Sequence, residues 1–288
     1  MARCDAPGLP ADWLNGWLAA IGVTVLIPGA RLRWADRGIP FAAFEIDEAV
    51  DLAQLVAAAL PTPETLVRSP IARMLPGMEH EFSRNVTLAA FRERAGLERG
   101  TGDGILAASV SDLSVDARLD NLEHGAFDVP VPRGVTLEER AVACAGKRVM
   151  ADIAQRVRDT LSGWGRREEI NGLGFDAHRI PGGMHPAAEV GVYADPVVEL
   201  LDFSALPLFP VRGNGRRVRQ RLWTDSNTRR GALQWIAWRP ALDRWAIDAL
   251  LDLPPRDLGG LALARYQVVP YQLSDPNDRR AYFAERVR

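Results

Sequence analysis

Apolar residues in the first fifty positions follow two different periods. Within residues 11–28 they recur at i, i+3, i+4 and i+7, the spacing of one helix face, at Leu14, Trp17, Leu18 and Ile21. Residues 31–36 (RLRWAD) alternate as a strand does, a turn at Arg37-Gly38 follows, and residues 39–46 (IPFAAFEI) have the composition of a returning strand. The pattern predicts a helix followed by a β-hairpin.

Caps and breakers divide the rest of the chain. A helix over 48–60 is predicted to begin after the N-cap Asp47, and a longer helix over 136–161 opens on a capping box formed by Thr136 and Glu139. Periodicity predicts further helices over 83–95, 196–203, 242–253 and 276–286, strands over 105–110 and 265–269, and a hairpin made of 216–223 and 233–238. Interleaved helices and short antiparallel strands, with few β-α-β units, indicate an α+β fold.

The chain is expected to form two lobes. Residues 1–134 would make an N-terminal helix-plus-hairpin lobe, and residues 135–288 a C-terminal lobe with the long helix and an arginine-rich hairpin. The glycine-rich stretch 100–104 (GTGDG) reads as a linker, because it lacks the continuation that a phosphate-binding loop needs. One continuous domain is the alternative.

Composition indicates a folded protein of the cytoplasm. Among the 288 residues, 47% are hydrophobic and 25% are charged, which is the usual range for globular proteins. No apolar run reaches membrane-spanning length, and Asp5 and Asp12 interrupt the N-terminus where a signal peptide would be apolar. Cys4 and Cys144 have neither metal-type spacing nor the number that a disulfide framework requires.

The usual catalytic motifs are missing from the sequence. It contains no GxxxxGK[ST], HExxH, paired CxxC or GxSxG pattern, so we predict no enzyme activity, no cofactor and no metal. The alternative is a metal-dependent nuclease, with ligands at Asp112, Asp116 and Asp120 or at the loop histidines His124, His178 and His185. Solvated aspartates and histidines are the favoured interpretation, because three like charges at i, i+4 repel.

The strongest local signal is a cluster of arginines between residues 212 and 230. Its members are Arg212, Arg216, Arg217, Arg219, Arg221, Arg229 and Arg230, and only Asp225 opposes them. A Gly-Asn-Gly turn at 213–215 precedes a stretch in which Arg217, Arg219 and Arg221 alternate, so one strand face would present all three. Guanidinium groups bind phosphate in a bidentate manner, and the cluster therefore favours a polyanion-binding role.

The tryptophans around this cluster have two interpretations. Trp223, Trp235 and Trp238 could stack on bases or could anchor the core, and we favour the core. A third alternative for the arginines is a docking scaffold, in which they contact an acidic protein surface. The sequence alone leaves the nucleic acid unspecified.

Two separated stretches resemble a known family. WLNGWLAAIGV with RLRWAD near the N-terminus, and DPVVELLDFSALPLFPVRG, RQRLW and LQWIAWRP between residues 195 and 240, are similar to large-subunit-like Cas proteins of type I CRISPR effector complexes, particularly type I-G (formerly I-U). The resemblance implies a non-enzymatic subunit of an RNA-guided surveillance complex. Such a subunit contacts crRNA or target DNA and neighbouring Cas subunits, while a separate helicase–nuclease cleaves.

Overall fold

The structure is a computed structural model of the chain. It describes residues 1–47, 50–68, 110–111, 123–124, 127, 137–146, 152–163, 168–170, 172–175, 193–213, 218–224, 232–253, 255–272 and 279–287. The predicted helix over 83–95 and the linker at 100–104 lie outside these residues.

The described chain combines helices with antiparallel strand pairs, which is the combination that defines an α+β fold. The helices are α1 (Leu14–Leu26), α2 (Leu52–Ala59), α3 (Pro63–Arg68), α4 (Leu137–Gly146), α5 (Ile153–Gly163), α6 (Pro196–Ala205) and α7 (Arg244–Leu251). The strands are β1 (Ala2–Pro10), β2 (Arg31–Ala35), β3 (Phe41–Ile46), β4 (Val110–Ser111), β5 (Glu123–His124), β6 (Glu168–Glu169), β7 (Tyr193–Ala194), β8 (Arg212–Gly213), β9 (Val218–Arg219), β10 (Leu233–Trp238), β11 (Ala262–Gln272) and β12 (Arg279–Val287). The predicted fold class is confirmed.

The N-terminal sheet has the strand order β1-β3-β2, with antiparallel pairing throughout. The β2–β3 hairpin matches the prediction, and Gly38 turns it with a φ of 95°. Strand β1 was not predicted, because small residues, Ala6 and Gly8, occupy core positions where a strand usually shows large apolar side chains. Gly8 is needed there, since a Cβ at this position would lie 2.0 Å from the Thr160 carbonyl oxygen of α5.

Helix α1 lies at the centre of the molecule, as the apolar spacing predicted. All residues from Leu14 to Thr24 are buried, so α1 contacts protein on every side. Its main neighbour is α6, which the sequence also predicted and which Asp195 caps by accepting a hydrogen bond from the Val197 amide. The helices approach closely at Gly22, where a Cβ would lie 2.0 Å from the Leu201 carbonyl oxygen.

The second sheet has the order β10-β11-β12. Tryptophans join it to the N-terminal layer, by which we mean the β1-β3-β2 sheet together with α1 and the residues that connect them. The indole N–H groups of Trp17, Trp235 and Trp238 donate to the carbonyl oxygens of Ile236, Ala11 and Leu32 at 2.9, 2.7 and 3.0 Å. The ring of Trp34 packs edge-on against that of Trp238, with centroids 5.8 Å apart. Residues of both predicted lobes therefore line one hydrophobic core.

Two predicted helices differ in the structure. The long helix expected over 136–161 is two helices, α4 and α5; Asp152 begins the second by accepting a hydrogen bond from the Gln155 amide. Asp51, rather than Asp47, caps α2, because its carboxylate reaches the Ala53 amide at 2.9 Å. The caps are therefore Asp51 for α2 and Asp152 for α5.

The predicted C-terminal helix over 276–286 is wrong. Residues Arg279–Val287 form strand β12, which pairs with β11 along its length. Alanine and glutamate gave this segment a helical pattern, but the pairing with a long neighbouring strand overrides that weak local preference. Among the described helices, none combines the length and apolar composition needed to cross a bilayer.

A glycine substitution tests the contact between α1 and α6. Gly22→Ala should lower the free energy of unfolding by about 2 kcal/mol or more, because the added methyl meets backbone that cannot rotate away. Gly146→Ala is the control: it lies in α4 with open space around the new Cβ and should change stability by less than about 1 kcal/mol. Urea denaturation measures both, and equal effects would contradict the close approach.

Candidate nucleic-acid interface

Two arginines of the cluster, Arg212 and Arg219, lie on a short antiparallel pair, β8 with β9, which we call the arginine hairpin. Arg212 pairs with Arg219 and Gly213 with Val218. The predicted pairing of 216–223 with 233–238 is confirmed only at its turn end, where Trp223 and Leu233 form an antiparallel bridge and the Gln234 N–H donates to the Leu222 carbonyl oxygen at 2.9 Å. Strand β9 pairs with β8 instead. Arg216, Arg217, Arg229 and Arg230 lie outside the described residues.

Two arginines occupy directly opposed positions in the arginine hairpin. Like charges at such positions destabilise an antiparallel pair, because cross-strand neighbours lie about 5 Å apart. Arg219 is exposed, and no acidic side chain in the described part of the chain pairs with it. Arg219 is thus a positive charge that the described fold leaves uncompensated, opposite Arg212 in the strand register.

Arg221 does not share an exposed strand face with Arg219, which corrects the prediction that one face presents Arg217, Arg219 and Arg221. β9 ends at Arg219, so Arg221 lies beyond the paired strand, and the backbone turns immediately after it at Leu222, with a φ of 69°. The Arg221 side chain is only 7% exposed and turns inward to helix α7.

Two aspartates of α7 hold Arg221. Asp252 accepts two hydrogen bonds, from Nε at 2.8 Å and Nη2 at 2.7 Å, and Asp248 accepts one from Nη1 at 2.5 Å. The Leu208 carbonyl oxygen accepts a further bond at 2.6 Å. Burial acts to lower the pKa of Arg221, but the bonds and charges of the aspartates outweigh it and raise that pKa above its ordinary value. Arg221 therefore fixes the arginine hairpin to α7.

The tryptophans of the predicted cluster are mainly core residues. Trp235 and Trp238 are 1% and 0% exposed, which confirms the structural interpretation, and Trp223 is partly buried against the same core. Sequence reasoning missed Trp245 on α7, which is 70% exposed. Its position on the polar side of a predicted amphipathic helix was the available signal.

The candidates for metal-dependent chemistry lie mostly outside the described residues. This holds for Asp112, Asp116, Asp120, His178 and His185, while His124 lies on the short strand β5. Within the described ranges, no group of three or more His, Cys, Asp or Glu side chains is arranged to hold a metal ion.

Helix α6 carries buried carboxylates that the sequence did not single out. Asp195, Glu199 and Asp202 are 6%, 1% and 0% exposed and share one helix face. Asp195 accepts a bond from Thr160 Oγ1 at 2.9 Å, which ties α5 to α6. Glu199 accepts a hydrogen bond from the Leu173 amide N–H at 2.5 Å. The contacts of Asp195 and Glu199 hold neighbouring segments of the fold.

The peptide group between Gly172 and Leu173 is held from both ends. Arg140 of α4 donates to its carbonyl oxygen, and Glu199 accepts from its N–H. Gly172 fits here because the Glu199 carboxylate occupies the space that a Cβ would need, 2.4 Å away. Arg140 and Glu199 therefore position the segment 172–175 on the core.

Comparison with known proteins adds no relative. No family model, no curated protein and no solved structure matches this chain. The fold and the site define an α+β protein with a surface arginine hairpin.

Arginine substitutions distinguish anchoring from surface exposure. Arg221→Ala should lower the free energy of unfolding by about 1–3 kcal/mol, since it removes charged hydrogen bonds and leaves two aspartates facing each other. Arg219→Ala should change it by no more than about 0.5 kcal/mol, because the side chain is exposed. Urea denaturation of both variants checks this, and the reverse order would refute the assignment.

Burial raises the pKa of Asp195 above its ordinary 3.8, although hydrogen bonds from Thr160 and Val197 oppose it. The folded state then holds this proton more tightly than the unfolded chain. Stability contributed by the protonated form is therefore lost as pH rises from about 3.8 towards the folded-state pKa. Asp195→Asn should flatten this decline in urea denaturation at a series of pH values; an unaltered slope would contradict the raised pKa.

Proposed function

We propose that this chain is a non-enzymatic nucleic-acid-binding subunit of a CRISPR-type RNA-guided surveillance complex. The arginine hairpin would contact the phosphates of crRNA or target DNA, and other surfaces would contact neighbouring Cas subunits. The proposal assigns no catalytic residue and needs no cofactor.

One observation carries the proposal: the exposed Arg219 lies opposite another arginine in the strand register, and no acidic side chain of the described chain pairs with Arg219. Arg221 is compensated within the fold by Asp248 and Asp252. Arg212 and Arg219 face each other in the strand register instead. A phosphate backbone offers evenly spaced anions to such a row, and guanidinium groups bind them in a bidentate manner.

The position of the remaining arginines along the chain supports the same role. Arg216 and Arg217 fall in the four-residue connection between β8 and β9, so they extend the same positive segment. The resemblance of residues 195–240 to large-subunit-like Cas proteins covers this segment and gives the proposal its biological setting. The net charge of the chain is −2, so nucleic acid would be attracted to this segment and not to the protein as a whole.

Salt-dependent binding tests the proposal. Arg219→Ala should weaken binding to oligonucleotides several-fold and reduce the slope of log K against log salt by about 0.7–0.9, since one phosphate contact is lost. A variant with Arg212, Arg216, Arg217 and Arg219 all changed to alanine should lose most of the affinity. Fluorescence anisotropy over a salt series measures both effects.

Arg158→Ala is the matched control for charge. Arg158 lies on α5, is partly exposed and pairs with Asp51 at 2.7 Å, and its removal changes the net charge by the same amount. Its binding should equal that of the unmodified protein. Salt-independent binding, no binding, or an equal loss in Arg158→Ala would overturn the proposal.

A further inference from the structure

We infer that the exposed ring of Trp245 stacks on an unpaired base of a single-stranded nucleic acid whose phosphates contact the arginine hairpin. The inference rests on the proposed nucleic-acid-binding function and specifies the form of nucleic acid that the same site takes. It is carried by three observations: the exposure of the ring, the cation above it, and the attachment of the arginine hairpin to the same helix.

The exposure of Trp245 contrasts with that of the tryptophans in the core. Trp17, Trp34, Trp235 and Trp238 are at most 1% exposed, whereas Trp245 is 70% exposed. A single exposed apolar residue needs no explanation by itself. An indole ring is nevertheless the best available surface for stacking on a base, because both are flat and polarisable.

A cation lies over this ring. The guanidinium carbon of Arg244 is 4.8 Å from the ring centroid, the arrangement of a cation–π pair. Arg244 makes no ion pair with any acidic side chain of the described chain. The guanidinium lies over one face of the ring, which leaves the other face for a base and places a positive charge near the attached phosphate.

The arginine hairpin is attached to the same side of α7. Trp245, Asp248 and Asp252 follow each other at i, i+3 and i+7, so they share one side of the helix. Arg221 bonds to both aspartates, two residues after the exposed Arg219. With a helix rise of about 1.5 Å per residue, Asp248 and Asp252, the two residues that hold Arg221, lie about 4.5 and 10 Å along the helix axis from Trp245. A few nucleotides span this distance.

The geometry favours a single strand over a duplex. In a duplex each base is covered on both faces by its neighbours, so a protein ring on the surface has no base to stack on. A single strand exposes base faces, and proteins that bind such strands combine a positive track with aromatic rings. The arginine hairpin alone would not discriminate, because phosphates are common to both forms.

The test compares variants of Trp245 on single strands and on a duplex. Trp245→Leu keeps an apolar side chain but removes the ring, and should weaken binding to 12-nucleotide oligo-dT or oligo-U about 5- to 100-fold. Its salt slope should be unchanged because no charge is removed, whereas Arg219→Ala reduces that slope. Binding to a 12-base-pair duplex should be the same as for the unmodified protein. The two oligonucleotides distinguish DNA from RNA as the preferred strand.

A second measurement keeps the test independent of affinity. Stacking of a base on Trp245 should quench tryptophan fluorescence, and Trp245→Phe should lose that quenching while retaining most of the binding. If Trp245→Leu binds single strands as the unmodified protein does, or loses duplex binding equally, the inference is overturned while the proposed function stands. If the unmodified protein binds no oligonucleotide, both are overturned.

Discussion

The indole N–H groups of three tryptophans hold the two sheets in one fixed relation. Trp17 of α1 donates its indole hydrogen bond to β10. Trp235 and Trp238 of β10 donate theirs to the carbonyl oxygens of Ala11 and Leu32 in the N-terminal layer. Each donor is buried, and a buried donor without an acceptor costs about 1–3 kcal/mol. Strand β10 therefore cannot shift along the N-terminal layer without leaving these donors unsatisfied. The bonds run in both directions, so each layer positions the other.

The candidate site depends on this constraint. Leu32 of β2 and Leu242, just before α7, exchange two backbone hydrogen bonds at 2.8 and 2.9 Å, which fixes the start of α7 against the N-terminal sheet. Arg221 then attaches the arginine hairpin to Asp248 and Asp252 further along α7. The core thus supports α7, and α7 supports the arginine hairpin. A surface element of two-residue strands, which would be marginal alone, has a defined position because of this attachment.

Local patterns in the sequence predicted those elements whose signal is contained in neighbouring residues. Helix α1 and the β2–β3 hairpin follow from apolar spacing and a glycine turn, and α6 from its helical periodicity. Strand β1 was missed because two of its core residues, Ala6 and Gly8, are small, and the size of Gly8 is dictated by α5, which lies far along the chain. Strand β12 was assigned as helix because its pairing partner, β11, contributes nothing to the local pattern. The failures share a cause: the deciding contact is distant in sequence.

The same limit applies to the arginines. Clustering in sequence located the positive segment, but alternation could not identify which guanidinium is neutralised within the fold. Asp248 and Asp252 lie 27 and 31 residues after Arg221, and only the path of α7 brings them to it. The result separates two functions within one cluster. Arg221, held between two carboxylates, adds stability and no positive field. Arg219 is exposed, and in the described chain its charge meets no carboxylate, so it adds little stability and leaves a positive charge on the surface. A polyanion bound there would compensate the arginines at the positions where the fold itself does not.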